Sequence, residues 1–412
     1  MTESHRVAIT GMGMITPLGT GTRVFWENLI AGRVAIAPLT RFTCDGFPTR
    51  IAAQIDDFDP ADFLAKRRVQ WTDRFSQLAV AAARLAVEDA RFAVDGESAN
   101  TGVYTGSALG GLAFAEEQIA VFYREGLRSV RPLLTLSVFG GAAASNVAIE
   151  FGITGPTIAN SDSCAAGAIA IGDAYRAVKR GDVRAALAGG IEAPLAPLTF
   201  GAFTVARAMS TRNGDPASAS RPFDAGRDGF VMGEGAGMFV LERYEDALRR
   251  GAPIYAEIAG FGTSNDAFHM SAPLADGAQT AAAMKLALDE ARVSPSEVES
   301  INAHGSSTRL GDRAEALAYE RLFGEHLAAI PVCATKGQHG HALGATGAWE
   351  IAISAMSMRE GVIPGAVNLE RIDDECAVRC SRETVAARTR IVLSNSSGFG
   401  GINAALVLRA AE

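Results

Sequence analysis

The sequence predicts an α/β fold, and three observations predict it. Short apolar runs of strand length alternate with longer stretches whose apolar residues recur at helical spacing. Short glycine turns separate them. The chain also shows one loose pattern twice, strands that end at loops carrying reactive residues, which points to a duplicated α/β unit.

In order, Val7-Ala8-Ile9-Thr10 reads as a buried strand, followed by a glycine turn at Gly11-Met12-Gly13, and a short helix starts at 26–30. Thr72 is placed to cap a helix with Phe75, Leu78, Ala79, Ala82, Leu85 and Ala86 on one face. Residues 101–106 form a strand, and 107–111 a glycine-rich loop. A helix with Ile169, Ile171, Ala174, Tyr175 and Val178 inward closes on Lys179, Arg180 and Gly181. Strands follow at 184–188, ending at Gly189-Gly190, and at 236–241. The second part has strands at 254–261, 298–303, 390–394 and 404–408. Its helices are expected at 278–292, with Ala282, Leu286 and Ala287 inward, within 311–323, and at 348–358.

With 412 residues, 48% of them hydrophobic, the chain can bury a large core. A net charge of −8 argues against a general nucleic-acid binder. Met1-Thr2-Glu3-Ser4-His5-Arg6 leads straight into a strand with no signal peptide. The apolar stretch 187–203 is broken by Glu192, Pro194 and Pro197, so no membrane span is expected. Soluble, cytoplasmic behaviour follows. Of five cysteines, Cys44, Cys333, Cys376 and Cys380 have no metal-ligand spacing and read as reduced, inert thiols.

Cys164 is different. It stands in Ser161-Asp162-Ser163-Cys164-Ala165-Ala166-Gly167, just before a helix, where unpaired amides and the helix dipole favour thiolate, the form that attacks thioesters. Its small neighbours leave room for a substrate. Two of the six histidines lie in glycine-flanked loops, Asn302-Ala303-His304-Gly305 and Gly340-His341-Ala342-Leu343-Gly344. A neutral imidazole there can donate to a developing oxyanion or enolate. Gly398-Phe399-Gly400-Gly401, after a strand, can present a backbone amide to a tetrahedral oxyanion. Lys336 can set the local field, with Glu350 on the next helix as its partner.

These segments, with Ser220-Arg221-Pro222-Phe223-Asp224, 227–237, His304-Gly305-Ser306-Ser307-Thr308 with Gly311-Asp312, and Thr335-Lys336, resemble an elongating β-ketoacyl-[acyl-carrier-protein] synthase of the thiolase-like superfamily. The resemblance runs end to end. It implies a thiolase-like five-layered αβαβα fold from two duplicated halves, 1–251 with the nucleophile and 252–412 with both histidines. It implies that Cys164 takes an acyl chain, that His304 and His341 promote decarboxylation of malonyl-carrier protein, and that the amides of Cys164 and Phe399 form the oxyanion hole. Phe399 would also be a gate, and Lys336 with Glu350 would organise the site. Ser306 and Thr308 would touch the pantetheine arm, while Leu109 and Phe203 line the chain tunnel. No metal or redox cofactor is implied, since substrates ride on the phosphopantetheine arm.

The partners implied are an acidic acyl carrier protein and either a second copy or a chain-length-factor-like paralogue. Docking requires local positive charge, for which Lys66, Arg67, Arg68, Arg124, Arg128, Arg131 and Arg207 are candidates. The stretch 133–139 would lie near the dimer interface. Three departures bear on the acyl substrate: Gly337-Gln338-His339 where the family commonly has Ser-Met-Thr, Ser397 for Phe, and Ile402 for Thr. The serine form is similar to ketosynthase subunits of type II polyketide systems, so a polyketide chain is as plausible as a fatty acid. A non-catalytic chain-length subunit is the alternative, disfavoured by the joint presence of Cys164, His304 and His341. A degradative thiolase is disfavoured because the C-terminal loop lacks a second active-site cysteine.

Overall fold

The computed structural model describes residues 4–94 and 98–411; the first three residues of the expected leaderless start lie outside them. The N-terminal half contains β1 (Val7–Thr16), α1 (Arg74–Ala90), β2 (Thr101–Gly106), α2 (Leu112–Glu125), α3 (Ala142–Phe151), β3 (Thr157–Asn160), α4 (Ala166–Arg180), β4 (Ala185–Glu192), α5 (Pro197–Val205) and β5 (Gly235–Arg243). The C-terminal half contains β6 (Ala256–Asn265), α6 (Ala278–Ala291), β7 (Ser300–Asn302), α7 (Arg309–Phe323), β8 (Pro331–Cys333), α8 (Lys336–His339), α9 (Thr346–Glu360), β9 (Ile391–Gly398) and β10 (Ile402–Arg409).

The duplication is plain in the strand order. The first half runs β3-β2-β4-β5-β1 and the second β8-β7-β9-β10-β6, each with its first three strands parallel and the last two joints antiparallel. The halves meet edge to edge where Val7, Ala8 and Ile9 pair with Ile258, Glu257 and Ala256. α1 and α3 cover one outer face, α6 and α7 the other, and α4 packs on α9 between the sheets. That is the five-layered αβαβα arrangement. α9 is buried all round from Thr346 to Ser357, as a central-layer helix must be.

The expected turn at Gly11-Met12-Gly13 is instead the middle of β1. A Cβ on Gly11 or Gly13 would lie 2.2 and 2.0 Å from the carbonyl oxygens of Ala86 and Ala82, so the glycines let α1 sit against the strand. Gly260 and Gly262 do the same in β6, 2.1 and 2.2 Å from Ala287 and Ala283 of α6. β4 likewise continues through Gly189 and Gly190 to Glu192. The α1 cap is Asp73, whose carboxylate accepts from the Ser76 amide at 3.2 Å, because the Thr72 hydroxyl donates to the Arg68 carbonyl. On α6 the buried face runs through Ala281, Met284, Ala287, Leu288 and Ala291, while Leu286 is exposed. Among the described residues no helix is long and apolar enough to cross a membrane, and all five cysteines are free thiols.

Candidate active site

The reactive residues gather at the carboxyl ends of the parallel strands, where an α/β sheet leaves a crevice. Cys164 follows β3, Glu192 ends β4, His304 follows β7, Lys336 follows β8, and Phe399 follows β9. The two halves build matching elbows. A 3-10 turn, Ser163–Ala165, leads into α4, and another, Leu343–Ala345, leads into α9. Ser163 and Leu343 both hold positive φ, 53° and 42°, a strained backbone that raises each turn toward the crevice.

Cys164, His304, His341, Phe203, Phe230 and Phe399 line one cavity of about 460 Å³. The His304 and His341 rings meet edge to face with centroids 5.2 Å apart. Burial, then the Lys336 charge, hold both imidazoles well below 6.5, so both are neutral. His341 Nδ1 lies 3.0 Å from the Thr346 hydroxyl; if that hydroxyl donates, the imidazole proton sits on Nε2. The His304 loop is held by Glu315, whose carboxylate accepts from the His304 and Gly305 amides at 2.7 and 2.8 Å and from Asn395 at 2.8 Å.

Lys336 and Glu350 form a buried ion pair behind the histidines, and the lysine ammonium also donates to the His304 carbonyl. Burial pushes the Glu350 carboxyl up to about 7, against the pull of Lys336. Neither side chain lines the cavity. They bear on the cavity through charge and through the position of His304.

The Phe399 backbone amide is near enough to the Cys164 sulfur to pull its pKa down slightly. Its approach depends on Gly398, since a Cβ there would stand 3.0 Å from the Cys164 nitrogen. The Phe399 ring, 39% exposed, stacks on Phe203 at 6.2 Å, and Phe203 in turn meets Phe230 at 6.0 Å. The expected resting thiolate is corrected. Burial pushes the Cys164 thiol up to about 11 and the Glu192 charge adds to this, against pulls from Ser163, Lys336 and the Phe399 amide. Desolvation of a charge outweighs the partial charge at a helix end.

Of the remaining predicted residues, Ser306 and Thr308 lie on the cavity wall, with their hydroxyls 2.8 Å apart. Leu109 does not line the cavity. It packs in the apolar cluster behind Cys164, with Phe42, Phe200 and Leu343. Lys66 and Arg67 are exposed on the short helix Lys66–Gln70, and Arg131 joins that patch by donating to the Gln70 carbonyl at 3.1 Å. Arg128 is exposed three residues before Arg131. Arg68 is partly committed to Glu150 at 3.6 Å and Asn146 at 3.1 Å, and Arg124 pairs with Glu125. Arg207 stands apart from these contacts, on the cavity rim.

Of the three departures only Ser397 reaches the cavity, where its hydroxyl donates to Asn403 at 2.9 Å. His339 is turned into the core between Phe25 and Trp349, at 6.2 and 5.3 Å, and burial brings it down to about 3. It is not a third active-site imidazole. Sequence reasoning passed over Glu192, although a carboxylate closing an otherwise apolar strand was a visible signal.

Comparison with known proteins agrees with this geometry. The family model "Beta-ketoacyl synthase, N-terminal domain" matches residues 4–247, and "Beta-ketoacyl synthase, C-terminal domain" matches 255–370. The 3-oxoacyl-[acyl-carrier-protein] synthase 2 of Coxiella burnetii (strain RSA 493 / Nine Mile phase I) is 41% identical over 408 residues, 98% of this chain and 99% of that protein. A type II PKS acyl-carrier protein solved in complex with its ketosynthase bound to the hexaketide gives a TM-score of 0.91 at 32% identity, covering 100% of both chains. The ishigamide ketosynthase/chain length factor gives 0.92 at 33% identity, covering 99% of this chain and 100% of that one. The matched halves follow one another in the order in which the sheet repeats, and the chain belongs to the β-ketoacyl synthase family.

Proposed function

We propose that this protein is a condensing enzyme that joins an acyl group held on Cys164 to a malonyl unit delivered by an acyl carrier protein, in fatty-acid or polyketide chain elongation. The observation that carries the reading is one cavity lined by a thiol, two neutral imidazoles and the Phe399 loop. In the first step the Cys164 sulfur attacks the donor thioester. The S–C bond forms, the oxyanion is held by the Cys164 and Phe399 amides, and the pantetheine thiol leaves with the proton that Cys164 gives up. In the second step the malonyl C–C bond to the carboxylate breaks and carbon dioxide leaves. The electron pair enters the enolate, whose oxygen accepts from His304 and His341. The enolate carbon then attacks the acyl carbonyl, the C–S bond to Cys164 breaks, and the departing sulfur takes a proton from solvent to restore the resting thiol.

Neutral histidines suit this chemistry, because they donate hydrogen bonds without protonating the carbanion outright. Burial, helped by the Lys336 charge, keeps them neutral. Loss of carbon dioxide drives the condensation, so the chemistry calls for no metal or redox group. Ser306 and Thr308 would meet the pantetheine arm. Lys66, Arg67, Arg128 and Arg131, with Arg68 and Arg207, would receive the carrier protein. The relatives supply the partners: one solved neighbour is a ketosynthase with its acyl-carrier protein, and another is a ketosynthase/chain length factor. The exposed side chains of Leu136, Val138 and Phe139 suit burial against a second copy or a paralogue. We take 1–251 and 252–412 as the two halves and the cytoplasm as the compartment.

The test is intact-protein mass spectrometry with a panel of acyl-carrier proteins, then malonyl-carrier protein. An adduct on Cys164 that is lost as β-ketoacyl product forms supports the reading. Condensation by a clean Cys164→Ala preparation sinks it.

A further inference from the structure

Glu192 is fully buried at the end of β4 and, among the described residues, forms no ion pair. Its carboxylate accepts instead from four neutral donors on two other segments. Ser107 Oγ and the Ala108 and Leu109 amides, in the loop after β2, reach it at 3.0, 2.7 and 3.1 Å. The Gly344 amide, three residues after His341, reaches it at 3.0 Å. These amides lie in loops, so no strand or helix partner satisfies them, and a buried unpaired N–H is costly. One carboxylate satisfies all three.

The same place is a backbone junction. A Cβ on Gly190 would lie 2.3 Å from the Gly344 carbonyl oxygen and 2.9 Å from the Gly167 Cα. A Cβ on Gly344 would lie 2.7 Å from the Ala108 nitrogen. The nucleophile helix, β4, the Leu109 loop and the His341 loop therefore touch through bare backbone, with Glu192 as the polar clasp. Burial pushes the Glu192 carboxyl itself up to about 7, against the pull of the four donors, so its charge, which pushes the Cys164 thiol up, is complete only above that pH.

We propose that Glu192 is a positioning residue of the reaction: one carboxylate clasps the loop behind the nucleophile, at Leu109, to the loop that carries His341. It touches no substrate. It acts through Leu109, His341 and Cys164.

Two variants separate the clasp from the charge. Glu192→Gln removes the charge and turns an amide NH2 toward N–H donors. Glu192→Asp keeps the charge on a shorter arm that cannot hold all four donors. Two readouts are followed in protein whose folding is checked by circular dichroism. One is the pH profile of Cys164 alkylation by iodoacetamide. The other is acyl transfer from octanoyl- and hexadecanoyl-carrier protein. Glu192→Gln is expected to shift the alkylation profile to lower pH, raising the rate at neutral pH several-fold, and to raise KM for transfer about tenfold. Glu192→Asp is expected to restore the alkylation profile while KM stays raised. A folded Glu192→Gln with the unaltered profile and KM overturns the proposal. If Glu192→Gln does not fold, Glu192→Asp decides: an unaltered profile with raised KM supports it, and an unaltered KM overturns it. The transfer arm rests on the condensing-enzyme reading, whereas alkylation reads Cys164 with no carrier protein present. If the parent enzyme transfers nothing, that reading fails, and the clasp is decided by thermal unfolding instead: a lowered melting temperature in Glu192→Asp supports it, and an unaltered one overturns it.

Discussion

Gly398→Ala is the cleanest way to test the oxyanion donor, because a backbone N–H cannot be deleted by changing its own side chain. The added methyl would stand 3.0 Å from the Cys164 nitrogen, 3.1 Å from Ser163 Cβ and 3.3 Å from the Asp162 carbonyl oxygen. These contacts are a few tenths of an ångström too close, so the loop must back away from the nucleophile by about that much. An oxyanion donor works over a narrow range of about 2.7–3.1 Å, and losing one outright costs about 10²- to 10³-fold in rate. A displacement of this size forfeits part of that. We expect acylation of Cys164 to slow about 10- to 100-fold, roughly 1–3 kcal/mol of transition-state stabilisation. The assay is single-turnover acylation followed by intact mass, with decarboxylation of malonyl-carrier protein measured beside it. Decarboxylation, assigned to His304 and His341 in the proposed mechanism, is expected to change little. Acylation at the parent rate in a folded Gly398→Ala protein would refute the assignment of the Phe399 amide.

Three further outcomes follow from the same geometry. Lys336→Met strands the Glu350 carboxyl in the core, and thermal unfolding is expected to show a loss of about 3–5 kcal/mol, with much of it recovered in the Lys336→Met/Glu350→Gln double variant. Both histidines take up a proton only well below 6.5, so decarboxylation is expected to stay level as pH falls through 6.5; a half-loss at that pH would mean a solvated imidazole. The sign for stability is set by the unfolded chain, which protonates these histidines near 6.5 while the folded chain does not, so these two groups cost stability as pH falls below 6.5. Arg67→Glu with Arg131→Glu is expected to raise KM for carrier-bound substrates, most strongly at low salt, and to leave iodoacetamide alkylation of Cys164 unchanged.

The chemistry was legible in the sequence where it depends on residue type and local context. A cysteine among small residues before a helix, two histidines between glycines, and a glycine run after a strand each keep their meaning without knowledge of what lies across the crevice. The layer order and the duplication were legible only as a loose pattern. The repeated glycine pairs that prove it, Gly11 with Gly13 and Gly260 with Gly262, read as turns or as nothing, because their purpose is contact with helices roughly 20 to 80 residues away in sequence.

Sequence alone determined the family and singled out the proposed nucleophile and pair of imidazoles, since these rest on side-chain chemistry and on motifs of contiguous residues. Tertiary structure alone decided which groups are charged and which face the cavity. Cys164 rests as a thiol rather than a thiolate because desolvation, a property of everything packed around it, outweighs the helix end beside it. His339, two residues from His341, is turned into the core by Phe25 and Trp349. The sequence marked Glu192 only as a carboxylate closing an apolar strand; its role took shape when three amides and a hydroxyl, up to 152 positions away along the chain, converged on it.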